Sequence, residues 1–170
     1  MEARMKKVTA FFFVLILVFG ALMYGQESVL AEKKVLFVYD EVNKNSSPYI
    51  EYFRNAFGAA GIGYDEAAAA DANKMNLNDY RAVVIYGMVM AFNGKSPVRD
   101  WLKASPDLQG RKVSLLVTAN RWFLKDLNRD LTNLLNKNEA DVVDAVSTAT
   151  KSLNDRDKEA LVQAQVSRLK

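Results

Sequence analysis

The sequence predicts an α/β protein, a three-layer sandwich built on a five-stranded parallel sheet. Its strongest apolar runs, Lys34 to Tyr39, Ala82 to Tyr86 and Lys112 to Val117, are apolar on consecutive residues. That is the pattern of strands covered on both faces. Segments of helical period separate the runs in regular alternation, and such alternation packs helices on each side of a parallel sheet. All three prolines, Pro48, Pro97 and Pro106, fall at helix starts or turns, where a missing amide hydrogen does no harm.

The chain opens with Arg4, Lys6 and Lys7, followed by an almost wholly apolar run from Val8 to Tyr24. A basic lead before such a core reads as a secretory signal, and Val29-Leu30-Ala31 supplies the short residues of a cleavage site after Ala31. The run is also at the lower limit for an uncleaved membrane anchor. In either case residues 32–170 are expected outside the cytoplasm, with the cationic end inside.

The first strand, Lys34 to Tyr39, runs into a polar loop from Asp40 to Ser46. Ser47-Pro48 then starts a helix whose inner stripe is Ile50, Phe53, Phe57 and Ala60, and Gly61 ends it. Ile62 to Ala70 reads as a short edge strand, although its alanines suit a helical turn equally. Ala72 to Tyr80 reads as a short helix or turn with Leu77 and Tyr80 inward. The central strand at Ala82 is followed by a loop, a helix introduced by Ser96-Pro97, a turn at Gly110 and the strand at Lys112. Leu124, Leu127, Leu131, Leu134 and Leu135 give the next segment a helical face. Glu139 to Val146 is the fifth strand, and a helix beginning at Asn154-Asp155 closes the chain, with acids at its start and bases at its end.

At 170 residues, half hydrophobic and 25% charged, this is one globular domain. A net charge of +3 with no basic cluster argues against nucleic acid as a partner. The sequence contains no cysteine and no histidine. Disulfides, thiolate nucleophiles, Ser-His-Asp catalysis and most zinc sites are thereby excluded, and no metal site is expected. Asp40 and Glu41 at the end of the first strand read as solvated loop acids, a pair being too few oxygens for a hard cation.

In sheets of this kind ligands bind beyond the carboxyl ends of the strands, which directs attention to Gly87 to Lys95 and Thr118 to Trp122. There the chain resembles the flavodoxin-like family. The resemblance is carried by DYRAVVIYG, a GK before a short helix ending in DWL, the return LQGRKVSLLVT, and the late segment ADVVDAVSTATKSLNDRDKEAL. It implies the strand order 2-1-3-4-5, FMN as cofactor, and electron transfer or reduction of a small acceptor, with a redox partner protein. If the chain is an enzyme, the resemblance makes it an FMN-dependent oxidoreductase.

The resemblance puts the flavin phosphate in the loop after the first strand, at Asn43, Lys44, Asn45, Ser46 and Ser47. The family's glycine is missing there, and Asp40 and Glu41 precede the loop, so the phosphate loop is degenerate. The ring would lie against Met88 and Phe92, with Asn93 and Gly94 at its polar edge and Asn120 and Trp122 from the loop after the fourth strand. Met88 reads also as core filler, the use its type favours, and Trp122 also as the start of the leucine face, whose spacing favours core. The other functional reading is a flavodoxin-like domain that has lost flavin and serves as a binding or structural module. Membrane contact is expected only through the amino-terminal segment, if it is not cleaved.

Overall fold

The computed structural model describes residues 34–89, 96–150 and 152–169. The expected signal segment and the loop residues Phe92, Asn93 and Gly94 lie outside the described residues. Five strands form one sheet, β1 (Lys34–Tyr39), β2 (Tyr64–Ala68), β3 (Tyr80–Val89), β4 (Lys112–Ala119) and β5 (Asp141–Ala149), in the order β2-β1-β3-β4-β5. All four pairings are parallel. Four α-helices connect or follow the strands: α1 (Ser47–Ala60), α2 (Pro97–Lys103), α3 (Arg121–Lys137) and α4 (Asp155–Ser167). The β2–β3 connection holds two 3₁₀ turns, Ala72–Lys74 and Leu77–Asp79, where the sequence predicts a short helix or turn. The α/β sandwich and the strand order are as expected.

Strand parity divides the core in two. Leu36 and Val38 of β1, Val83, Ile85 and Val89 of β3, and Val113, Leu115 and Val117 of β4 pack with Val98, Trp101, Leu127, Leu131 and Leu135 of α2 and α3. The alternate residues, Val35 and Phe37 of β1 and Val84, Tyr86 and Met88 of β3, pack with Ile50, Phe53 and Phe57 of α1 and Val162 and Val166 of α4. Burying both faces of three central strands is what their continuous apolar runs require.

Gly61 ends α1 in the left-handed region, at φ 66°, and lets Ile62 N donate back to Phe57 O at 3.0 Å. An added Cβ there would meet open space, so the only obstacle to alanine is the backbone conformation. Gly61→Ala is expected to lower stability by about 1 kcal/mol, read as a lower urea midpoint with an unchanged slope.

Candidate functional site

The carboxyl ends of β1, β3 and β4 open on one rim, as in any parallel sheet of this order. The β1–α1 loop is ordered by its own side chains. Asn43 Oδ1 accepts from the amides of Asn45 at 2.9 Å and Ser46 at 3.2 Å. Asn43 O accepts from the amide of Ser47 at 2.8 Å. Ser46 Oγ accepts from Asn43 N at 2.8 Å and donates to Glu41 O at 2.6 Å. Pro48 has no amide hydrogen to offer. The amides of Asn45, Ser46 and Ser47 and the Ser46 hydroxyl are therefore engaged within the loop, and Ser46 is buried. Lys44 is exposed, and Asn45 and Ser47 are half-buried.

Asp40 corrects the reading of a solvated acid, being 3% exposed. It continues the parity of Leu36 and Val38 and so turns toward α2. Its Oδ1 accepts from Ser96 Oγ at 2.9 Å and Val98 N at 2.7 Å, and its Oδ2 accepts from Met88 N at 2.5 Å. One carboxylate thus joins the end of β1 to the end of β3 and the first turn of α2. Burial pushes its pKa up to about 6; the three hydrogen bonds work against that rise, and Glu41 nearby adds to it. Ser96 also caps α2 by accepting from Arg99 N at 3.1 Å.

Met88 stands near the end of β3, but its side chain turns into the core. It shares the parity of Val84 and Tyr86, is 5% exposed, and packs among α1-side residues as core. Tyr86 beneath it stacks on Tyr49 with ring centroids 5.2 Å apart and pairs with Thr118 Oγ1 at 3.0 Å, so this layer is closed to a ligand. Trp122 has the opposite placement, at 87% exposed on the first turn of α3, and not in the leucine face. That face begins with the partly buried Leu124 and continues through Leu127, Leu131 and Leu135. Asn120 is the exposed residue before α3, and its side chain makes no cap hydrogen bond.

The large apolar residues exposed among those described are Val42, Trp122 and Phe123, and all three follow strand ends on this rim. The ends of β1 and β4 are two strands apart, or about 10 Å. Beside Trp122, an open cleft of about 200 Å³ is lined by Ala119, Asn120, Arg121, Ala149, Thr150 and Ser152. A slightly larger cleft of about 240 Å³ is lined by the β2–β3 connection and the end of α2, with Asp107 as the only acid and no cation in its lining. The residues of the rim fit the two ends of a flavin differently. Val42, Trp122, Phe123 and Asn120 offer apolar walls and a polar edge to a planar ring, while the loop that would hold a phosphate is already satisfied by Asn43 and Ser46. Of the two alternatives that the sequence left for Trp122, the structure has the exposed one, and parity at Asp40 is the feature that sequence reading missed. That parity was available from the alternation of β1.

No protein-family model matches the chain, and no curated protein sequence does. Solved structures do. A point-mutant flavodoxin from Pseudomonas aeruginosa superposes with a TM-score of 0.64 at 11% identity, over 80% of this chain and 98% of that one. Oxidised flavodoxin 2 from Bacillus cereus gives 0.61 at 16% identity, over 79% and 97%. General stress protein 14 from Treponema denticola, solved in complex with FMN, gives 0.56 at 14% identity, over 80% and 97%. The chain has the flavodoxin-like fold, and at these identities the fold is what is shared.

Proposed function

We propose, from the flavodoxin-like fold, that this domain binds FMN at the carboxyl rim of its sheet and transfers electrons to a partner protein or a small acceptor outside the cytoplasm. The observation that carries the reading is that the large apolar residues exposed among those described, Val42, Trp122 and Phe123, all follow strand ends on that rim, where sheets of this kind bind ligands. Structural neighbours of this fold are flavodoxins, and one neighbour was solved with FMN. When bound, FMN supplies the electron transfer. The chain's own part is to wall the ring with Trp122 and Phe123, offer Asn120 to its polar edge and exclude water from one face. The position outside the cytoplasm rests on the basic, apolar amino terminus.

A second reading, a binding module without flavin, is favoured by one observation, the self-satisfied β1–α1 loop behind two carboxylates. The absorption spectrum of the purified protein separates the two. Visible flavin absorbance that leaves the protein on denaturation supports the carrier. A colourless protein that takes up no added flavin supports the module. Trp122→Ala is expected to change folding stability by less than about 0.5 kcal/mol, because the side chain is exposed. The same change is expected to weaken flavin binding about tenfold through loss of stacking area, measured by quenching of flavin fluorescence.

A further inference from the structure

We infer that the ring is the part of the flavin this chain recognises, so that riboflavin, which lacks the phosphate, binds as tightly as FMN. The inference rests on the flavin reading and concerns how the two ends of the ligand are treated. Amides in the loop before α1 and in the first turn of α2 are taken by the chain's own oxygens. At α1 the Asn43 side chain takes the amides of Asn45 and Ser46, the positions from which a loop would grip an anion. At α2 the Asp40 carboxylate takes Val98 N and the Ser96 hydroxyl.

Ser46 Oγ is buried and gives its hydrogen to Glu41 O. A phosphate dianion would also meet the exposed Glu41 at the head of the loop, with Lys44 as the cation the loop itself supplies. To reach the amides of Asn45 and Ser46 it would have to displace Asn43 Oδ1 from hydrogen bonds that the loop already has. The ring end is built differently, from exposed apolar groups that have nothing to lose by being covered.

Asn43 is the residue that closes the cradle. Asn43→Ala frees the amides of Asn45 and Ser46 and leaves Trp122, Phe123 and Asn120 unchanged. The test is the dissociation constants of FMN and riboflavin, measured side by side by flavin fluorescence quenching in phosphate-free buffer at low salt. Wild-type protein is expected to bind the two within about threefold, whereas two hydrogen bonds to a charged phosphate would favour FMN by about a hundredfold or more. Asn43→Ala is expected to leave riboflavin unchanged and to tighten FMN about tenfold. Circular dichroism shows that the variant is folded, and the wild-type comparison stands without it. A wild-type preference for FMN above about tenfold overturns the inference. A folded Asn43→Ala with an unaltered ratio overturns the role given to Asn43. Failure of both ligands to bind refutes the flavin reading itself, and the inference falls with it.

Discussion

Asp40→Ala is expected to destabilise the fold by about 3 kcal/mol at neutral pH, the order expected when buried donors lose their acceptor. The carboxylate is 3% exposed and accepts from Met88 N, Val98 N and Ser96 Oγ. Alanine leaves all three without a partner where water has little access. Asparagine keeps the shape, and its expected signature is in the pH dependence. The folded pKa of Asp40 is about 6, above the ordinary value of 3.8, so the folded chain holds this proton where the unfolded chain has released it. Stability from this group is therefore fully present below pH 4 and is lost as pH rises through about 6, a change of about 3 kcal/mol. Asp40→Asn cannot titrate. Relative to wild type its stability is expected to improve by that amount between pH 4 and pH 7. Urea unfolding of both proteins at the two pH values checks the sign, and a constant difference would show that the carboxylate is not held as described.

The second large effect is expected where α3 meets β3. A Cβ placed on Gly87 would lie 3.1 Å from Leu131 Cδ1, so the absent side chain at Gly87 lets α3 sit close to the sheet. Leu131 is fully buried. Leu131→Ala is expected to lose about 3 kcal/mol through transfer and cavity terms. Gly87→Ala is expected to lose about 1–2 kcal/mol by overpacking, because Leu131 is wedged between α3 and the strand. In the double variant the added methyl enters the space that Leu131 vacates. Its loss is expected to fall short of the sum of the singles by about 1 kcal/mol, as contacting residues do in a double-mutant cycle. Strict additivity would mean that Gly87 and Leu131 do not share a space. Because Trp122 starts the same helix, Leu131→Ala should also loosen the rim.

The layered fold could be read from the sequence because its central strands are buried on both faces, and no other arrangement buries Val35 to Tyr39 and Ala82 to Tyr86 so completely. The margins were less readable. At the edge, β2 is the weak sequence YDEAA, and its strand state comes from pairing with β1. On the other edge β5 runs to Ala149, past the expected end at Val146, because Thr148 and Ala149 continue the register opposite Thr118 and Ala119. Composition hid this, since an edge strand with one open face carries Ser and Thr without penalty.

The site was less visible than the scaffold for a physical reason. Whether a side chain near a strand end is core or rim depends on parity and on where the next helix begins, and a run of types does not fix either. Met88 keeps the α1-side parity and is buried, while Trp122 precedes the leucine stripe and is exposed. Asp40 and Asn43 both sit in a polar loop, yet one is a buried clamp and the other holds its own loop closed. Hydrogen-bond closure within a loop leaves no trace in composition, so the bonds from Asn45 and Ser46 to Asn43 could not be read from residue types.

A thermal-shift measurement with FMN bears most directly on the rim as a flavin site. With FMN at about a hundred times its dissociation constant, binding is expected to add about 2.7 kcal/mol and raise Tm by about 5–10 °C, and Trp122→Ala should show a visibly smaller rise at the same FMN concentration. A wild-type Tm that does not move at any attainable FMN concentration would contradict flavin binding at this rim.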